Sequence, residues 1–206
     1  MSGSPRRRPR LGMFGGAFDP PHLAHVALAR CAIGQLGLDE LRVFPTGQAW
    51  HKTRALTPAG HRLEMARLSF ADVPRAVVDG RELRRQGPTY TIDTLRELRA
   101  EHPDAELVLV IGADQAEALD SWRESAEIAR IATISIAERA RPQEPSGTFD
   151  ASRVPGGHWE RIELPSMPIS ATEIRQRLAA GQGIAHLVPE PVARYIDQHH
   201  LYPPSR

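Results

Sequence analysis

A single cysteine, Cys31, excludes an internal disulfide and leads us to expect a reducing compartment, the cytoplasm. No apolar run reaches the roughly 18 residues that cross a bilayer. The basic N-terminus lacks the apolar stretch of a signal peptide, so no membrane partner is expected. Neither sign of charge dominates. A net charge of +1 with 25% charged residues gives no global attraction to nucleic acid, and no nucleic-acid partner is expected. The one dense basic run, Arg6-Arg7-Arg8 with Arg10, lies among Pro, Ser and Gly and reads as a disordered tail over residues 1–10. Two nucleotide signatures are missing as well. The chain has no G-x-x-x-x-G-K-[ST], and no G-x-G-x-x-G with an acidic residue closing the second strand. P-loop chemistry and hydride transfer are therefore disfavoured.

What is present is enough for one domain: 206 residues, 41% of them hydrophobic. Short apolar runs alternate with helical stretches, the pattern of an α/β fold with a doubly wound, mainly parallel sheet. Strands are expected at Leu11–Phe14, Glu40–Pro45, Ala76–Val78, Leu107–Gly112, Thr133–Ala137 and Trp159–Leu164. The run Leu107-Val108-Leu109-Val110-Ile111 is apolar on both faces, as a central parallel strand must be. Helices are expected from His22 to about Gln35, from a Thr57-Pro58 cap through Ser69, and from Tyr90 to about Glu101. Another should run from a Ser121–Glu124 capping box to about Arg130, and two more at Ala171–Ala180 and about Pro191–His199. The Pro-, Ser- and Gly-rich stretch Arg141–Gly157 reads as a surface loop. The expected organisation is a sheet domain over residues 11–165 with a small helical subdomain over 166–206.

The strongest chemical signal is Gly15-Gly16-Ala17-Phe18-Asp19-Pro20-Pro21-His22-Leu23-Ala24-His25. It follows a strand and opens a helix. Glycines there admit a phosphate that a Cβ would hold away, and a helix N-terminus offers N–H donors and partial positive charge. His22 and His25, three residues apart, project from one face of the first turn. A second signal is Ile169-Ser170-Ala171-Thr172-Glu173-Ile174-Arg175. Ser170 and Glu173 have capping-box spacing, which accounts for both structurally and leaves Arg175 unexplained.

The first motif resembles the G-x-F-D-P-x-H-x-G-H turn of the HIGH-motif nucleotidyltransferases, with Ala24 at the usual Gly position. The second matches that superfamily's I-S-x-T-x-I-R. From Leu11 to Tyr202 the chain resembles, more narrowly, the bacterial nicotinate-nucleotide adenylyltransferases. The resemblance implies a Rossmann-like nucleotidyltransferase fold that transfers the adenylyl group of ATP to nicotinate mononucleotide, giving deamido-NAD and pyrophosphate. It implies ATP contacts from Gly15, Gly16, Phe18, His22, His25, Ile169, Ser170 and Arg175, with His22, His25 and Arg175 catalytic. The mononucleotide would be held by His51 and Lys52 at its phosphate, and by Thr89, Tyr90, Thr91, Asp114 and Trp122 elsewhere. Here Ala49-Trp50-His51-Lys52 stands where the family often has P-P-H-K. Magnesium (Mg2+) is expected on the ATP phosphates, with no metal ligand from the protein.

Alternatives remain open at this level. They are an adenylyltransferase for nicotinamide mononucleotide or phosphopantetheine, a nucleotide sensor without turnover, or an RNA-binding protein using its basic arm. Asp114 also reads as a helix cap, and Trp122 as a partly buried anchor.

Overall fold

The computed structural model describes residues 7–47, 55–139 and 159–203. Its centre is a six-stranded sheet, parallel throughout, in the order β3-β2-β1-β4-β5-β6. The strands are β1 Arg10–Gly16, β2 Glu40–Pro45, β3 Ala76–Val78, β4 Glu106–Gly112, β5 Ala132–Arg139 and β6 Trp159–Leu164. The helices are α1 Leu23–Gln35, α2 Ala59–Phe70, α3 Arg81–Arg84, α4 Thr91–Glu101, α5 Ala113–Ala116, α6 Ser125–Ile131, α7 Ala171–Ala179 and α8 Glu190–Gln198. This order is the doubly wound arrangement in which ligands bind at the strand ends where the winding reverses, here between β1 and β4.

The pleat of β4 explains the layering. Leu107, Leu109 and Ile111 pack with Ile92, Leu95 and Leu98 of α4 and Ile128 of α6. Val108 and Val110 point the other way, into a second core with Leu28, Ala29 and Ala32 of α1 and Ala66 and Phe70 of α2. Helix α2 serves two cores. Ala66 and Phe70 face the sheet, while Met65 and Leu68 meet a third cluster made by Ile174 of α7 and Val192 and Ile196 of α8. The C-terminal helices are thus seated on α2. Among the described residues, no helix is long and apolar enough to cross a membrane.

Three local expectations need correction. Arg10 is not in a tail but is the first residue of β1, in register with Glu106. Its guanidinium pairs with Glu160 at 2.9 Å and Glu106 at 3.0 Å, and its main-chain N–H donates to Asp39 at 2.7 Å. Arg7 also pairs with Asp39, at 2.7 Å. Next, the cap of α2 is Pro58, not Thr57. Thr57 is drawn into the neighbouring loop, where its N–H donates to Asp19 and its carbonyl accepts from Arg62. Finally, Ser121 and Glu124 form no capping box. Ser121 lies in a 3-10 turn, Leu119–Ser121, and donates to the Ala118 carbonyl at 2.6 Å. Glu124 is itself the cap of α6, in left-handed conformation at φ 55°, and Arg96 of α4 binds its carboxylate. The expected loop at Arg141–Gly157 lies outside the described residues.

The docking of α8 can be tested through Ile196, which is 2% exposed. Ile196→Ala is expected to lower stability by about 2–5 kcal/mol through lost burial and the cavity left behind, measured by urea unfolding.

Candidate active site

The turn after β1 is shaped by one ring. Phe18 is 1% exposed and adopts φ 48°. Its ring packs edge-on against Phe14, Phe70 and His25 at centroid distances of 5.5, 5.7 and 5.1 Å. A Cβ on Gly16 would stand 2.9 Å from that ring, so glycine is required there by the protein's own packing. At Gly15 a Cβ would meet no protein atom within 4 Å. The space over Gly15 is open, which is what an approaching phosphate needs. Gly15 has the open space that the phosphate reading taken from the sequence asks for, and glycine at position 16 is accounted for by the Phe18 ring as well. The buried ring of Phe18 supports the turn from beneath.

His22 is the N-cap of α1 and is largely buried. Its ring stacks on His25 with centroids 3.6 Å apart. The main-chain N–H of His22 donates to Nδ1 of His25 at 3.2 Å. Because Nδ1 accepts, a neutral His25 carries its proton on Nε2, where it is a donor. The N–H of Leu23 donates to the Leu187 carbonyl at 2.9 Å. One of the helix-end donors expected to be free for phosphate is therefore already engaged by the segment before α8.

The second motif reaches the same turn. Ser170 caps α7 and accepts from the Glu173 N–H at 3.1 Å. Arg175, one turn further on, donates to the Asp19 carbonyl at 2.7 Å and to Thr172 Oγ1 at 3.1 Å. Ile169 packs at the edge of the C-terminal cluster. Helix α7 thus delivers Arg175 to the loop that leads into His22 and His25. Asp19 is 2% exposed and anchors both sides. Its carboxylate accepts from Tyr202 Oη at 2.6 Å and from the Thr57 N–H at 3.3 Å. Burial and the adjacent Asp19 charge hold the Tyr202 phenol well above its ordinary pKa, so it stays a donor. Arg62, 3% exposed, donates to the carbonyls of Ala17 at 3.0 Å, Thr46 at 2.7 Å and Thr57 at 2.9 Å.

Across the sheet edge lies the turn before α4. Thr89 is 6% exposed, and its Oγ1 has no hydrogen-bond partner among the described residues. Tyr90 is the N-cap of α4 and Thr91 its first residue. Gly47, in the loop after β2, is packed so closely that a Cβ would stand 2.7 Å from Thr89 Oγ1 and 2.4 Å from the Glu82 carbonyl oxygen. Trp122 and Tyr90 both lie on the rim of the core beneath α4, and Arg123 sits 4.7 Å over the Tyr90 ring. The anchor reading of Trp122 is therefore satisfied structurally, and its face toward ligand is a separate matter. Asp114 is exposed in α5 at the end of β4. It is not a helix cap, because Gly112 occupies that position. His51 and Lys52 lie outside the described residues.

Four residues at this edge carried no assignment from the sequence. Asp19 was visible inside its motif but without a role. Arg62, Glu82 and Tyr202 had no local signal, since each acts on segments distant in the chain.

A fold whose winding reverses beside a glycine turn, a stacked histidine pair and an arginine from a second helix defines a nucleotidyltransferase. The cytidylyltransferase-like family model matches residues 13–177. A probable nicotinate-nucleotide adenylyltransferase from Albidiferax ferrireducens is 54% identical over 94% of this chain and 98% of its own length. One from Methylibium petroleiphilum is 44% identical over 100% of this chain and 97% of its own length. The chain belongs to the nicotinate-nucleotide adenylyltransferases within the cytidylyltransferase-like family. Among solved structures, Plasmodium falciparum nicotinic acid mononucleotide adenylyltransferase complexed with NaAD shares the fold, with TM-score 0.73 and 22% identity over 94% of this chain and 97% of that one.

The Asp19 anchor has a measurable weight. Tyr202→Phe removes the donor to a buried carboxylate and is expected to lower stability by about 1–3 kcal/mol, read from denaturant unfolding at neutral pH.

Proposed function

We propose that this chain transfers the adenylyl group of ATP to nicotinate mononucleotide, forming deamido-NAD and releasing pyrophosphate. The observation that carries the reading is the meeting of α1 and α7. The stacked His22–His25 pair and Arg175 converge on one turn, with Arg175 bound to Asp19 at 2.7 Å. Donors and a cation from two helices suit a polyphosphate whose charge shifts along the chain of phosphates during reaction. Similarity to the curated relatives supports the same substrates.

In this reading a phosphate oxygen of the mononucleotide attacks the α-phosphorus of ATP in line. The bond from that phosphorus to the pyrophosphate oxygen breaks, and the electron pair leaves with pyrophosphate. No protein nucleophile is needed, so the protein's share is alignment and charge stabilisation. His25, with its Nε2 proton, donates to phosphate oxygens, and Arg175 balances charge that builds on the leaving group. Gly15, Ile169 and Ser170 leave room for, or frame, the triphosphate.

Magnesium carried on the triphosphate would neutralise part of its charge. Such a metal would arrive with its substrate. The one buried carboxylate at the turn, Asp19, is occupied by Tyr202 and Thr57. Among the described residues there is no group of three or more metal-ligating side chains. Magnesium commonly keeps several waters and takes few protein ligands.

The pyridine end is assigned to the Thr89–Thr91 turn, where an 11-residue helix begins and a buried hydroxyl is available. N–H donors there satisfy both oxygens of a carboxylate. An amide presents its own NH₂ to them and leaves a polar group unpaired. Tyr90 and Trp122 supply aromatic surface beside it, while His51, Lys52 and Asp114 complete the proposed mononucleotide contacts. The single cysteine fits a cytoplasmic setting.

Two outcomes test this reading by pyrophosphate release and product analysis with ATP, magnesium and each mononucleotide. His22→Ala and His25→Ala are each expected to lower turnover by roughly 100-fold or more; near-normal turnover in both removes the mechanism. Nicotinate mononucleotide is expected to exceed nicotinamide mononucleotide by at least about tenfold in kcat/KM, since 1.4 kcal/mol corresponds to that factor. Equal use, or preference for the amide, removes the carboxylate site from Thr89–Thr91.

A further inference from the structure

Glu82 takes no part in the contacts assigned above, yet it is tied to the pyridine end at two points. It lies in α3 and is 3% exposed. Its carbonyl oxygen and Thr89 Oγ1 flank the same side of Gly47, 2.4 and 2.7 Å from where a Cβ would stand. Its carboxyl Oε1 accepts a hydrogen bond from the Thr94 hydroxyl at 2.7 Å, and Thr94 accepts in turn from Arg85 at 2.7 Å. Thr94 is three residues beyond Thr91, on the same face of α4 one turn down. The Glu82 carboxyl is therefore lodged one helical turn behind the N–H groups that begin α4.

The charges around it are largely committed to one another. Arg85, next to α3, pairs with Glu97 of α4 at 2.6 Å. Arg81 of α3 pairs with Asp79 and with Glu101 of α4, each at 2.7 Å. Arg42 of β2 lies 3.5 Å from Asp79. From the loop after β2 comes Gly47, whose carbonyl the Arg62 guanidinium of α2 reaches at 3.5 Å.

We propose that Glu82 is a positioning and specificity residue of the mononucleotide end: its neutral carboxyl braces α4 for an anionic pyridine carboxylate, and its ionised form opposes that anion. This rests on the reading that places the nicotinate carboxylate at Thr89–Thr91. Two carboxylates one helical turn apart in a buried setting repel, so proton and anion binding assist one another. The poise is appropriate for such coupling. Burial, partly offset by the Thr94 hydrogen bond and Arg85, pushes the Glu82 carboxyl up to about 7. The neutral form prevails below that pH and the ionised form above it.

The pH profile of KM distinguishes this from a purely structural role. In the wild type, KM for nicotinate mononucleotide is expected to rise by at least about fivefold between pH 6 and 8.5, while KM for ATP does not follow. Glu82→Gln keeps an acceptor for Thr94 but cannot ionise, so this rise should flatten. The substrate's own phosphate titrates identically in both proteins and cancels in their ratio. Parallel profiles for wild type and variant overturn the proposal and leave the Proposed function standing. Failure of the wild type to make deamido-NAD at any pH overturns both. Calorimetry on the wild type gives a check that needs no variant. At pH 7.5, in buffers of different ionisation enthalpy, saturating nicotinate mononucleotide should draw up more protons than saturating nicotinamide mononucleotide. Equal uptake overturns the proposal.

Discussion

The buried guanidinium of Arg62 is the constraint on which the candidate active-site edge depends. The loops after β1 and β2 leave the C-terminal ends of these strands with main-chain carbonyls turned inward, and each buried carbonyl requires a donor. Arg62 supplies donors to Ala17 after β1, Thr46 after β2 and Thr57 before α2. A planar group with five N–H donors can bind all three at once, whereas an ammonium at the same place could not span them. Hydrogen bonds from a charged donor are worth more than neutral ones, on the order of 1.5–3 kcal/mol each.

Asp19 transmits this rigidity to the chemistry. Its carboxylate binds the C-terminal Tyr202 and the Thr57 N–H, and its carbonyl binds Arg175. The histidines begin three residues later, so the distance between the stacked imidazoles and the arginine is governed by one short, buried segment. Preorganisation of this kind is what charge stabilisation requires, because groups that must reorganise as the reaction proceeds contribute less. The proposed mononucleotide end is built differently. Tyr90 and Trp122 rest on the core beneath α4, and the polar support comes from Glu82, Thr94 and Arg85 behind the helix.

Much of this was legible in the residues. The two-sided apolar run of β4 marked the sheet centre, and the spacing of Glu40–Pro45, Ala76–Val78 and Trp159–Leu164 marked strands that the structure reproduces to the residue. Gly15 and the histidines stood out because glycine before a helix and imidazoles at helical spacing have a local physical meaning. Local meaning also misled. Thr57-Pro58 and Ser121–Glu124 have the composition of caps, but Thr57 is engaged by Asp19 and Arg62, and Ser121 is absorbed into a 3-10 turn. Arg10 looked like the end of a basic tail until Glu106 and Glu160 were brought beside it.

The sequence by itself determined the layering, because a period of two in the strands and of about 3.6 in the helices decides which faces are apolar before any contact forms. It also determined the two polar motifs, whose residue types and spacings are properties of single turns. Only the tertiary structure decided which segments meet. Asp19 and Arg175 are 156 residues apart and Asp19 and Tyr202 183 apart, and no periodicity extends over such distances. It also decided why Gly16 is glycine, since the obstacle is the Phe18 ring folded back beneath the turn. Burial, which raises the pKa of both the Glu82 carboxyl and the Tyr202 phenol, exists only once the chain is closed around them.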